Sequence, residues 1–173
     1  MTEPTPPLHP DEDIVDQLLR EWARERPELD TSAMAVVGRL LHLGALLQSR
    51  AGRHLQDHGL SYTELDVLAT LRRSGAPYQL SPTALRKSVL LTSGAMTACL
   101  NRLERRGLIG REPDAADRRL LMAKLTGEGL RLVEDAIVSH FAQADRAILG
   151  LEPGECAELA RLLRKFRLQL RDR

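Results

Sequence analysis

The sequence predicts a mainly α-helical chain with one small β-hairpin, and three observations predict it. Apolar residues recur at helical spacing of three and four, as in Leu130, Val133, Ile137, Phe141, Ala144 and Ile148. Only 3% of the 173 residues are aromatic, so Leu, Val, Ile and Ala must fill the core, and such a filling suits helices better than a β-sandwich. Two short runs, Leu108 to Arg111 and Leu120 to Lys124, flank a polar stretch with a Pro113-Asp114 turn, the pattern of two short strands joined as a hairpin.

Each element has a local reason. Residues 1–10 hold Pro4, Pro6, Pro7 and Pro10 and are expected to form a disordered arm. Asp11 or Asp13 caps a first helix carrying Ile14, Leu18, Leu19 and Trp22. Pro27 and the Asp30-Thr31-Ser32 cluster end it and start a second helix, from about Thr31 to about Asp57. Its Met34, Val37, Leu40, Leu41, Leu43, Leu46, Leu47 and Leu55 make more than one apolar stripe, which argues for burial against both its own domain and a second subunit. Gly59 stands as a helix stop, and Ser61 caps a short helix through Arg73 with Leu65, Leu68 and Leu71 inward. Ser74-Gly75-Ala76-Pro77 is a turn. Ser81-Pro82 pairs an N-cap with Pro at the first helical position, and that helix ends near Val89. Thr92 or Ser93 caps the next helix, and Gly107 stops it. Thr126 caps a long helix after the hairpin, and Pro153 opens a last one with Leu159, Leu163, Phe166 and Leu170.

A capped helix, a Gly stop, a short strand, an Arg-tipped hairpin and a second strand come in the order of a winged helix-turn-helix. The apolar terminal helices, separated by this motif, would be buried together in an intimate homodimer. The expected organisation is an arm (1–10), an extra N-terminal helix with a first dimerisation helix (11–57), a winged helix-turn-helix lobe (58–125) and C-terminal dimerisation helices (126–173).

Net charge is +1, so bulk charge does not predict a nucleic-acid partner, but its distribution does. The N-terminal thirty residues are acidic, whereas residues 84–124 gather Arg86, Lys87, Arg102, Arg105, Arg106, Arg111, Arg118, Arg119 and Lys124. Cys99 and Cys156 form no CxxC spacing, which excludes a zinc ribbon or thioredoxin motif. No apolar run reaches the roughly 18 residues that span a bilayer, and the start of the chain does not read as a secretory signal. The expected compartment is the cytoplasm, with both thiols reduced. There is no Ser/His/Asp grouping, phosphate-cradling Gly loop or HExxH, so enzyme function finds no support, and no cofactor is expected.

On the helix that Gly107 stops, Met96, Leu100 and Leu103 face the core. Ser93, Thr97, Asn101 and Arg105 lie four apart on the opposite stripe, with Gly94 and Ala98 beside it. Short and polar side chains there let a helix backbone approach bases in a major groove, with Asn101 suited to adenine and Arg102 or Arg105 to phosphate or guanine. With few bidentate readers, a good share of specificity is expected to come from DNA shape. Ser81 and Thr83 on the preceding helix and Arg111 on the first strand complete the expected contact surface, together with Thr92. Asp117-Arg118-Arg119 stands at the base of the two-strand hairpin, from where Arg can enter an electronegative minor groove and Asp can orient it.

Ser93-Gly94-Ala95-Met96-Thr97, Arg102-Leu103-Glu104, Gly107-Leu108-Ile109, Pro113-Asp114, Asp117-Arg118-Arg119 and Leu125-Thr126 together resemble the MarR family of bacterial transcriptional regulators. The resemblance implies a homodimeric repressor with two winged lobes on one pseudo-palindromic double-stranded operator. Trp22-Ala23-Arg24, Arg26-Pro27-Glu28-Leu29-Asp30, Gly38-Arg39-Leu40 and the run from Leu65 to Gly75 resemble its urate-responsive branch, the HucR, PecS and TamR types. That narrower resemblance implies a pocket for a small anionic ligand such as urate, using Trp22, Asp66 and Arg73, with the fourth position of the branch falling on Cys99 instead of Arg. Asp66 and Arg73 are two helical turns apart and share a face, which also fits a simple salt bridge.

Two other readings stay open. Cys99 shares a helix edge with Met96 and Leu103 and reads as a small buried residue, with thiol-based sensing as the alternative. His54 and His58, at i and i+4, are compatible with a metal site but read as a solvated helix end. A redox or metal sensor on the same scaffold, or a regulator without ligand response, would follow from these.

Overall fold

The computed structural model describes residue 9 and residues 11–89, 93–114 and 120–170. In order they form α1 (Ile14–Glu25), α2 (Ser32–Leu55), a 3-10 turn (Gln56–His58), α3 (Tyr62–Arg73), β1 (Gln79–Leu80), α4 (Pro82–Ser88), α5 (Ser93–Arg105), β2 (Ile109–Pro113), β3 (Leu121–Leu125), α6 (Gly127–Ala147) and α7 (Pro153–Gln169). The mainly helical class with a small antiparallel sheet is as predicted. The chain forms two compact units, Met1–Arg50 and Ala51–Arg173.

In the first unit, Asp13 caps α1 by accepting the Val15 and Asp16 N–H groups, and Asp16 returns the bond to the Asp13 N–H. Arg39 then binds both carboxylates, with Nε 2.8 Å from Asp13 Oδ2 and Nη2 2.6 Å from Asp16 Oδ1. The Arg39 hydrogen bond, more than any other contact, holds the Asp16 carboxyl below its ordinary range. Val15 is the packing residue of α1, and it lies against Gly38, where a Cβ would stand 3.2 Å from Val15 Cγ1. Ile14, Leu18 and Trp22 keep much of their surface exposed.

The second unit is built around α3. Its Leu65, Val67, Leu68 and Leu71 are buried with Leu85 of α4, with Met96, Cys99, Leu100 and Leu103 of α5, and with Val133 and Ala136 of α6. Ser61 caps α3 through the Glu64 N–H, and Ser81 caps α4 through the Ala84 N–H. Gly107, at φ +69°, supplies the left-handed residue that ends α5. Thr126 fastens α6 to the end of that turn, its hydroxyl donating to the Gly107 carbonyl at 2.7 Å and accepting the Gly129 N–H at 3.0 Å. Gly129 itself cannot be larger, because a Cβ there would lie 1.9 Å from the Leu108 carbonyl oxygen.

The sheet differs from the predicted hairpin in two ways. It has a third strand, giving the order β1-β3-β2, with Gln79 opposite Lys124 and Leu80 opposite Ala123. The hairpin strands also run further: Ile109 faces Leu125 and Pro113 faces Leu121, so Pro113 belongs to a strand and not to a turn. A Pro is tolerated there because β2 is an edge strand and its last residue needs no ladder N–H on the open side.

Apolar surface is left uncovered in each unit. On α2, Met34, Leu41, Leu43, Leu46 and Leu47 are exposed. α7 buries no residue, and Leu159, Leu162, Leu163 and Leu168 are all exposed. The stripe of α6 splits likewise: Leu130, Val133 and Ile137 pack on the core, whereas Phe141 is exposed, as is Ile148 just beyond the helix end.

Candidate functional site

The first candidate surface is α4 with α5. Burying Met96, Cys99, Leu100 and Leu103 turns the other side of α5 outward, and Gly94, Thr97, Asn101 and Arg105 are exposed along it. Ser81 sits at the cap of α4, and Thr83, the second residue of the helix, lies exposed beside a shallow groove shared with Thr97. Arg111 of β2 reaches back to this face, binding the Asn101 side-chain oxygen and placing its Nε 3.2 Å from Glu104. Sequence spacing alone did not show that Arg111 and Asn101 meet. Thr92 and the expected wing residues Asp117, Arg118 and Arg119 lie outside the described residues, as does the side chain of Ser93.

Arg102 faces another way. Its Nε lies 3.4 Å from Glu64 Oε1 of α3, and the Arg106 guanidinium lies 3.7 Å from Glu64 Oε2. Burial raises the Glu64 carboxyl, but the Ser61 N–H and hydroxyl together with Arg102 and Arg106 outweigh it and hold the group below its ordinary range. Sequence reading did not single out Glu64; the Ser61-x-x-Glu64 capping box was its available signal.

The second candidate is a cavity of about 510 Å³ between α3 and α6. α3 contributes Tyr62, Leu65, Asp66, Ala69, Arg72 and Arg73, and α6 contributes Glu134, Ile137, His140 and Phe141. Asp66 and Arg73 thus share a wall, 3.8 Å apart. Loss of solvent raises the Asp66 carboxyl above its ordinary range, with Arg73 opposing. Arg72, also in the lining, is paired with Glu134 of the facing helix and lies 5.1 Å over the Tyr78 ring. Tyr62 and His140 rings meet edge to face, giving the cavity an aromatic side.

Cys99 is fully buried in the core and is not among the lining residues of this cavity. Its thiol is pushed up to about 11, mainly by burial. Trp22 stands on α1 in the first unit, half exposed. His54 and His58 are not a solvated helix end: both are half-buried, and both reach the Ser139 hydroxyl of α6. No group of three or more His, Cys, Asp or Glu side chains able to hold a metal occurs among the described residues. Nor is any described helix long and apolar enough to cross a membrane.

Residues 58–120 match the sequence pattern of the MarR family. The chain is 36% identical over 136 residues to the HTH-type transcriptional regulator PecS of Dickeya dadantii, covering 79% of this chain and 81% of that protein. Among solved structures it superposes with a TM-score of 0.73 and 24% identity on Sco3205, a MarR family regulator from Streptomyces coelicolor in complex with DNA, covering 80% of this chain and 88% of that one. It also superposes with a TM-score of 0.62 and 26% identity on Bordetella bronchiseptica BpsR, whose DNA binding is regulated by 6-hydroxynicotinic acid, covering 75% of this chain and 98% of that one.

Proposed function

The chain belongs to the MarR family of DNA-binding transcriptional regulators, in the branch that includes PecS, and from that premise we propose that it is a homodimeric cytoplasmic repressor released from its operator by a small planar organic acid of the urate type. The observation that carries the ligand part is the α3–α6 cavity, which offers an arginine, a partly desolvated carboxyl and aromatic rings in one space. A planar anion would set its charge on Arg73 and its ring against Tyr62 and Phe141. The regulation of BpsR by 6-hydroxynicotinic acid supports a ligand of this size and charge.

DNA would meet the outward side of α5. Gly94, Thr97, Asn101 and Arg105 enter the major groove with Ser93, while Ser81, Thr83 and Thr92 position the helix pair on the backbone. Arg111, tethered to Asn101, exchanges that contact for a phosphate or base edge. Asp117, Arg118 and Arg119 at the wing take the minor groove or backbone.

Calorimetric titration of urate and of 6-hydroxynicotinate into the protein tests the cavity. Saturable binding that Arg73→Ala weakens at least tenfold supports it; binding by neither acid, with DNA binding intact, removes the cavity from the mechanism. The redox alternative is disfavoured by Cys99, since a buried thiol pushed up to about 11 gives almost no thiolate at neutral pH.

A further inference from the structure

Glu64 is the one buried acidic side chain among the described residues, 6% exposed at the third position of α3. Its capping duty is local: Oε2 accepts the Ser61 N–H at 2.9 Å and the Ser61 hydroxyl at 3.0 Å. A neutral glutamine would serve that duty equally well. The charge has a separate use, because the carboxylate also meets two guanidiniums from another element, Arg102 and Arg106. Arg102 stands in the last turn of α5 and Arg106 directly after its end, its N–H still donating to the Arg102 carbonyl, so the two share one edge, away from the edge that carries Gly94, Thr97 and Asn101. Contacts along that edge, added to the burial of Met96, Cys99, Leu100 and Leu103, resist roll of the helix about its axis. Its roll decides where the short exposed side chains point.

We propose that Glu64 is a positioning residue for DNA reading: its buried carboxylate clamps Arg102 and Arg106, fixes the roll of α5 on α3, and so sets the direction in which Thr97 and Asn101 are presented to the bases. This rests on the DNA-facing side of α5 assigned above. It gives Arg102 an internal role rather than a phosphate contact. It also places the clamp one residue before Leu65 and Asp66, which line the cavity, so one turn of α3 supports both the cavity wall and the reading helix.

Two variants separate the charge from the cap. Glu64→Gln keeps an acceptor for Ser61 and removes the charge; Ser61→Ala removes the cap and keeps the charge. Fluorescence anisotropy would follow binding to a duplex selected in vitro by the wild-type protein and to an unrelated duplex of the same length, over a range of salt. Glu64→Gln is expected to weaken binding to the selected duplex by about tenfold and to leave the unrelated one within about twofold. Its salt slope should be unchanged, because no phosphate contact is lost. Ser61→Ala is expected to lower thermal stability and keep the preference. Arg106→Ala should repeat the Glu64→Gln pattern at smaller size, and it carries the test alone if Glu64→Gln fails to fold. Preference unchanged in Glu64→Gln, an equal loss in Ser61→Ala, or a salt slope lower by about one in Arg106→Ala would each overturn the proposal. A wild-type protein with no preference among duplexes would instead overturn the DNA-face reading on which it rests.

Discussion

At 3.8 Å, with more than half of the Arg73 side chain exposed, the Asp66–Arg73 pair belongs to the surface ion pairs that contribute about 0–1 kcal/mol. Arg73→Ala should therefore move the melting temperature little, which makes its effect on ligand affinity interpretable. Asp66 carries a pH signature. Its folded carboxyl sits above the ordinary value, so between the two values the folded chain holds more protons than the unfolded one, and stability falls as pH rises through that window. Asp66→Asn removes the cost of keeping the charge in a desolvated wall. Calorimetry from below the ordinary aspartate range up to neutral pH should show a flatter dependence and a higher melting temperature at pH 7; an unchanged profile would mean that the wall is better hydrated than its geometry implies. For the proposed DNA contacts, Arg118→Ala should weaken operator binding at least tenfold in a gel-shift titration, and unchanged binding would remove Arg118 from the proposed mechanism. That Asp66 and Arg73 share a face was legible because it depends only on their spacing along one helix. Glu134, His140 and Phe141 could not be assigned to the cavity, because only the packing of α6 on α3 brings them there.

Among elements, the junction of α5, β2 and α6 tolerates least change. Gly129 lies so close to the Leu108 carbonyl that any Cβ must push α6 off the sheet, against backbone rather than a yielding side chain. Gly129→Ala should destabilise the second unit by about 3 kcal/mol or more, read by urea unfolding, whereas Gly154→Ala, with open space around it, should be close to neutral. Helix starts were legible in the sequence because each cap is a contact within three or four residues: Ser61, Ser81-Pro82, Thr126 and Pro153 all stand where their helices begin. β1 was not legible. Gln79 and Leu80 carry no alternation of their own and are a strand only because β3 pairs with them. The same non-local pairing extends β2 through Pro113. His54 and His58 follow this pattern too, since nothing in their spacing announces Ser139, 85 and 81 residues further on.

For the molecule as a whole, the uncovered leucines decide the next question. A 17-residue helix that buries none of its residues has no reason to stay folded alone in water, and marginal helices of this length need a partner for their apolar face. A second copy supplies it in the proposed homodimer. Leu159→Asp with Leu163→Asp should give a folded monomer by sedimentation velocity, with the core of the second unit intact and operator binding weakened; a dimer that survives both changes would place the interface elsewhere. The central claim, that ligand in the α3–α6 cavity releases DNA, is tested most directly by anisotropy of a labelled operator duplex with and without a saturating planar acid, in wild type and in Arg73→Ala. The account predicts that the acid weakens wild-type binding at least tenfold and leaves Arg73→Ala unmoved. Equal release in both proteins would contradict it, because the ligand would then be acting somewhere other than this cavity.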